Sequence, residues 1–276
     1  MKIAYVAPKN WMQAIGDELR KRGHDLDGTP DYIFCMSVSV FAEAQVMNAR
    51  FPKAKVASYL WDCYSWIKTD YRWGLYDFAN YLAWCERADM VWVPSETEKR
   101  RYGKPCTVIK TYIRTEQLDE IKPKNGGFVL DPVRDQPSLQ NGWGQLACQD
   151  LGITYHRPEQ KLPWSEYVKL LATCSCAVST NTEMSTGGLG IIEALWYGRP
   201  SVVYAGDTNA AAEYLGPFAQ FLFKDYDGLK SHIAYLTENN HQFDVEETRS
   251  WIRANYSLTS MVDGIERACR NFEAGR

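Results

Sequence analysis

The chain has 276 residues, enough for one large α/β domain or two of about 100–150 residues each. Its formal net charge of −3 gives no global basic field, which excludes nucleic-acid binding through bulk charge while leaving room for a local basic patch. Apolar residues make up 45% of the chain, yet no run approaches ~20 of them, so no segment reads as a membrane span.

The opening MKIAYVAP reads as a buried strand, Lys2 to Ala7, because its apolar core is too short for a secretory leader. An amphipathic helix follows from Trp11 to Arg22 and stops at Gly23. The next strand is Asp31 to Ser37, then a helix from about Val40 to Arg50, then the strand Lys55 to Leu60. An aromatic and charged stretch to Ala88 reads as mostly helical, and is followed by the strand Met90 to Val93, a short helix from Ser95 and the strand Thr107 to Lys110. The segment TEQLDEIKPKNGG, 115–127, is polar, holds a proline and paired glycines, and reads as a linker.

Beyond it the alternation restarts with strands at Phe128 to Asp131, Ile153 to His156, Ala177 to Ser179, Ser201 to Tyr204 and Gln220 to Phe223. Helices separate them, and Asp225 to Phe272 reads as three more. Apolar strands alternating with helices imply parallel sheets covered on both faces. The expectation is an α/β fold of two Rossmann-like domains facing a cleft. The first spans 1–114 and the second 128–255, with a final helix at 256–276 crossing back to the first. Ligands are then expected at the carboxyl ends of the strands.

The eight cysteines are scattered and contain no CxxC. They read as reduced, mostly buried thiols of a cytoplasmic protein. Cys174 and Cys176 form the one close pair, without His or Cys partners at finger-like spacing, so no metal site is expected. The loop after the first strand, APKNWMQAIG, lacks GxGxxG, which argues against a dinucleotide-dependent oxidoreductase.

The stretch Thr182 to Pro200, TEMSTGGLGIIEALWYGRP, carries most of the chemistry. Gly187 and Gly188 let backbone N–H groups approach a ligand without side-chain interference. A helix then starts with its positive end toward the strand ends, which suits a diphosphate. Glu193, about one turn inside it, is placed to accept hydrogen bonds from ribose hydroxyls. The competing reading is a glycine-rich turn with a surface glutamate.

The run STGGLGIIEALWYGRPSVVYAGDTNAAAEYLG resembles the donor-binding signature of retaining glycosyltransferases of GT-B architecture, family 4 type. The segments RADMVWVPSETEKRRYG and SWIRANYSLTSMVDGIERACR are similar to other parts of that family. The resemblance implies a nucleotide-diphosphate sugar as co-substrate, UDP- or GDP-linked, and neither metal nor other cofactor. It implies that Arg134, His156, Arg157, Ser185, Thr186, Gly187, Gly188, Leu189 and Glu193 bind the donor. It departs from the family pattern in three places. Ser185 stands where the first acid is expected, with Glu183 two residues before it. The glycine pair after the first strand is replaced by Ala7-Pro8-Lys9-Asn10-Trp11. The lysine after Arg134 is missing, with Lys161 as a substitute.

Catalysis is assigned to Asp62 and Glu183, on the same resemblance. Asp62, at the end of the strand KVASYLW, either orients the transferred sugar or caps a helix. Asn10, Trp11, Trp61, Tyr64, Trp66 and Arg72 are the candidate acceptor contacts, since the aromatics at 61–84 exceed what one helix face buries. Lys99, Arg100, Arg101 and Lys104 form a basic run that reads either as a solvated helix end or as part of a DNA surface. The expected function is transfer of a sugar with retention to an acceptor hydroxyl. The leading acceptor is a hydroxymethylated pyrimidine in DNA, as in compact phage enzymes, which places the protein in the host cytoplasm. The alternatives are a glycan or lipid-linked acceptor, and a non-catalytic nucleotide-sugar-binding protein.

Overall fold

A computed structural model describes residues 1–9, 12–61, 78–118, 121–124, 126–132, 142–158, 162–182, 188–207 and 209–275. The chain divides into two compact units, Met1–Thr111 with Leu258–Arg276, and Tyr112–Ser257.

The first unit is built on a parallel sheet of β1 (Ile3–Val6), β2 (Tyr32–Cys35), β3 (Lys55–Tyr59), β4 (Met90–Val93) and β5 (Thr107–Val108), laid side by side in chain order. Side chains alternate between its faces. Ile33, Cys35, Val56, Val91 and Val93 share one buried cluster with Ala44, Tyr81 and Trp84 of the helices Phe41–Arg50 and Phe78–Arg87. On the other face the ring of Phe34 meets Trp92 edge-on at 5.0 Å. The C-terminal helix Leu258–Glu273 lies on that face, where Tyr32 donates to Glu273 at 2.5 Å. It also pairs with the helix Gln13–Lys21 and the turn after it: Arg22 reaches Asp263 at 2.6 Å and His24 reaches Glu266 at 2.8 Å. The helix Glu96–Tyr102 starts where the hydroxyl of Ser95 accepts from the Glu98 N–H at 3.1 Å, which satisfies one of its orphan donors.

The second unit also holds five parallel strands: β6 (Phe128–Leu130), β7 (Thr154–His156), β8 (Cys176–Ser179), β9 (Ser201–Tyr204) and β10 (Phe221–Phe223). Their order is β10-β9-β8-β6-β7. The chain leaves β6 toward one edge, returns to its other side at β8 and continues the opposite way. The first sheet has no such reversal, so the single topological switch point among the described strands lies between β6 and β8. Val129, Cys176, Val178 and Val202 pack with the helices Trp143–Leu151 and Tyr226–Glu238. Leu130, Ala177 and Val203 pack the opposite face, under Trp164–Thr173, Leu189–Leu195, Ala211–Leu215 and Val245–Tyr256.

The segment read from sequence as a linker is packed against the second unit. Leu118 is buried in its core, and the N–H groups of Lys124 and Gly126 donate to Ala172 and Thr173 at the end of a helix. Tyr256 stacks on Tyr214 in the same core, with ring centres 5.2 Å apart, so the return of the chain to the first unit begins at Leu258. Burial pushes the thiols of Cys35, Cys85, Cys148, Cys174 and Cys269 up to about 12, which makes them poor nucleophiles and poor metal ligands.

Candidate functional site

At the switch point β6 runs into Asp131, which is buried. Its Oδ2 accepts from the hydroxyl of Tyr155 at 2.9 Å, and the Arg157 guanidinium stands 3.8 Å away. β8 runs into Thr180, Asn181 and Thr182, all buried although all polar. Buried polar groups are ordinarily hydrogen-bonded, since burying them unpaired is costly. Asn181 donates to Ser179 at 3.4 Å, and Asn209 donates to the Asn181 carbonyl. The Oδ1 of Asn209 accepts from the Ala211 N–H at 2.7 Å and so heads the helix Ala211–Leu215. The turn at Asn209 is thus tied to the end of β8.

Gly188 adopts φ +80°, a left-handed backbone that favours glycine, and leads into the helix Leu189–Leu195. That helix has seven residues, so its macrodipole is small. Glu193 lies on its buried side, 7% exposed, so the reading of a surface glutamate is excluded. Tyr167 donates to its Oε2 at 3.0 Å and is the one hydrogen-bond donor to this carboxylate among the described residues. Burial pushes Glu193 above its ordinary value, against the opposing pulls of the Tyr167 hydroxyl and the Arg114 charge. Arg114 itself stands over the Trp164 ring, its Cζ 4.1 Å from the ring centre.

A cavity of about 950 Å³ opens beside the end of β7. His156 and Arg157 line it from the strand end, and Leu162, Glu166, Lys169 and Leu170 from the helix Trp164–Thr173 and the approach to it. Arg157 and Lys169 bring two cations to one opening. The His156 ring packs edge-on against Phe128 at 5.8 Å.

Of the residues expected from sequence, the structure places His156, Arg157, Gly188, Leu189 and Glu193 in the second unit, on the strand ends and loops just described. Trp61 belongs to the first unit, just past the end of β3, 5.9 Å from the Tyr59 ring. Asn10, Trp11, Asp62, Tyr64, Trp66, Arg72, Arg134, Lys161, Glu183, Ser185, Thr186 and Gly187 lie outside the described residues. The basic run is less available than its sequence suggests. Lys99 pairs with Glu96 at 3.6 Å, Arg101 with the buried Glu98 at 2.6 Å and Lys104 with Glu86 at 2.5 Å.

Tyr167, Arg114, Trp164, Gly190 and Lys169 were not foreseen. Only Gly190 left a signal, as the third glycine of GGLG. Its missing side chain is where Tyr167 passes: a Cβ there would stand 2.8 Å from the Tyr167 hydroxyl and 2.7 Å from Cβ of Pro132. Among the described residues no group of three His, Cys, Asp or Glu side chains is placed to hold a metal ion. No described helix is long and apolar enough to cross a membrane.

No family model matches the sequence, and no curated protein matches it. Solved structures do share its fold. TarM, also crystallised from S. aureus with α-GlcNAc-glycerol and UDP, aligns over 95% of this chain with a TM-score of 0.65 at 14% identity. The chain spans 58% of the length of TarM. A glycosyltransferase from Rickettsia africae aligns over 97% of this chain and 83% of its own, with a TM-score of 0.60 at 13% identity. HepE of Anabaena, crystallised with UDP and glucose, aligns over 96% of this chain and 84% of its own, with a TM-score of 0.57 at 13% identity. The α/β fold of two five-stranded parallel sheets is therefore that of GT-B glycosyltransferases.

Proposed function

We propose that the second unit binds a nucleoside-diphosphate sugar and that the protein is a glycosyltransferase acting without a metal. The observation that carries this reading is Glu193: a buried carboxylate beside a topological switch point, with a hydrogen-bond donor from the protein on one oxygen only among the described residues. A carboxylate kept in such a place is costly unless a ligand completes its hydrogen bonds. Two ribose hydroxyls are suitable donors. The UDP in the TarM and HepE complexes supports uridine over guanosine as the nucleoside.

In this reading Gly188 and the loop before it bring backbone N–H groups to the diphosphate, and Arg157 and Lys169 supply positive charge around the nucleotide. Arg134, Ser185, Thr186 and Gly187 complete the donor site, and Glu183 and Asp62 address the transferred sugar. Retention follows from the resemblance of the loop and helix: the acceptor oxygen bonds to the anomeric carbon on the face that the diphosphate leaves, and the departing phosphate takes the acceptor proton. For the acceptor, the pairing of Lys99, Arg101 and Lys104 with acids removes charge that a DNA backbone would neutralise. A hydroxyl of a glycan or lipid-linked precursor is thus better supported than a hydroxymethylated base.

The test begins with binding. UDP or a UDP-sugar should raise the melting temperature by mass action, with and without divalent metal. Transfer is then assayed on glycan, polyol and hydroxymethylated DNA acceptors. Lack of any shift with UDP-, GDP-, ADP- and CMP-sugars would sink the donor reading. Tight binding without transfer to any acceptor would leave a nucleotide-sugar-binding protein.

A further inference from the structure

Glu193 is held by a small apparatus whose parts come from three separate segments. Tyr167, on the helix Trp164–Thr173, donates to Oε2 at 3.0 Å. The hydroxyl has room only because residue 190 carries no side chain. Trp164 packs against Tyr167 with ring centres 5.7 Å apart, and its Nε1 donates to the Gln117 carbonyl at 3.4 Å. Arg114 rests on the outer ring of this stack, 4.1 Å from the Trp164 centre, close enough for its charge to act on both Tyr167 and Glu193. A phenylalanine at 167 would fill the same space. The hydroxyl adds only the bond to Glu193, and the glycine at 190 is what admits it.

We propose that Tyr167 is a positioning residue acting through Glu193: its hydroxyl fixes Oε2 and so sets the orientation in which the carboxylate meets the sugar hydroxyls of the bound nucleotide. The inference rests on the donor reading given above and assigns the orienting role to residues outside the glycine loop. The same bond has an electrostatic consequence. Burial raises the carboxyl, while the Tyr167 hydroxyl and Arg114 lower it. Tyr167 and Arg114 are the titratable groups acting on Glu193 among the described residues. Arg249 and Arg253, on the helix Val245–Tyr256 packed alongside, stand over the Trp196 ring instead, and Glu213 on the helix Ala211–Leu215 acts on Tyr256. Removal of the hydroxyl therefore pushes the carboxyl further up, and the charged acceptor is lost at a higher pH.

The experiment is calorimetric titration with UDP from pH 5.5 to 9 on the wild type, Tyr167→Phe and Arg114→Gln. Titration of UDP itself is common to all three and cancels when each variant is divided by the wild type. The Tyr167→Phe to wild-type ratio of Kd should rise at least about threefold between pH 9 and pH 5.5, because the variant loses the charged acceptor first as pH falls. Arg114→Gln should move it the same way. A ratio that is constant with pH, whether one or large, overturns the proposal, because a merely structural role weakens binding uniformly. If the wild type binds no UDP, the uridine reading has failed and a second measurement decides this one. The ¹³C carboxyl shift of Glu193 is then titrated in the unliganded proteins, where an unchanged midpoint in Tyr167→Phe overturns the positioning role.

Discussion

The hydroxyl of Tyr167 stands 3.0 Å from Oε2 of Glu193, a residue 26 positions further along the chain and on another helix. The bond is too weak to repay the burial of the carboxylate. Glu193 still lies above its ordinary value, because desolvation outweighs what Tyr167 and Arg114 return. On the donor reading, its place in the fold serves binding at the expense of stability.

Stability and binding should part company at this residue. A carboxyl whose folded value is raised contributes stability below its unfolded value, here 4.5, and loses it as pH rises through the folded value. At pH 8 the ionised Glu193 is a net cost. Glu193→Gln should raise the melting temperature of the unliganded protein at pH 8, with the difference shrinking toward pH 4. The same variant should bind UDP about tenfold more weakly, ~1.4 kcal/mol. Thermal melts across pH with a UDP titration check both. A variant that melts lower at pH 8 would show that the carboxylate has partners which compensate its burial.

Gly190 is the second point of strain in any substitution. The helix carries it against Pro132 and Tyr167, and a Cβ would sit 2.7 Å from one and 2.8 Å from the other. Pro132 is a ring fixed to the backbone and yields little. Gly190→Ala should therefore cost about 1–3 kcal/mol in urea denaturation, in spite of alanine's better helix propensity. It should also weaken UDP binding by displacing Tyr167. An alanine variant with unchanged stability would show that the switch-point loop relaxes freely around this position.

These residues show which parts of the molecule are legible in sequence. The strands were readable because β6 and β8 to β10 are short apolar runs between turn signals, a pattern that parallel sheets impose. Gly188 and Glu193 stood out because a packing element needs neither a glycine pair before a helix nor an acid inside it, and the structure gives Gly188 a positive φ and buries Glu193. Tyr167 was not, since it lies mid-helix among Trp164, Val168 and Leu171, where an aromatic reads as core. Leu118 fell in a polar stretch that looked like a linker and Arg114 just before it, and only the tertiary fold presses Leu118 into the core and Arg114 onto Trp164. The basic run at 99–104 read as a solvated helix end or a DNA surface, and its pairing with acids agrees with the helix end. Its partners Glu96 and Glu98 are one turn away, but Glu86 lies on another helix, so the pairing of Lys104 needs the fold to be seen.

Arg199 presents the opposite case to Glu193, a buried charge without a visible task. It is 0% exposed, its Nη2 donates to the Ala172 carbonyl at 2.8 Å, and Nε and Nη1 have no hydrogen-bond partner among the described residues. Burial lowers its pKa, which marks the charged form as unfavourable there. Loss of the guanidinium would not orphan the carbonyl, because Ala172 also accepts from the Lys124 N–H at 3.0 Å. Methionine keeps the length of the unbranched stem and needs no hydrogen bond. Arg199→Met should therefore be neutral or stabilising, by up to about 2 kcal/mol in urea denaturation. Lysine should be worse than methionine, since a compact ammonium is more strongly hydrated than a guanidinium. A loss of more than about 2 kcal/mol in Arg199→Met would sink the argument, because a cost of that size requires a paired charge at this position.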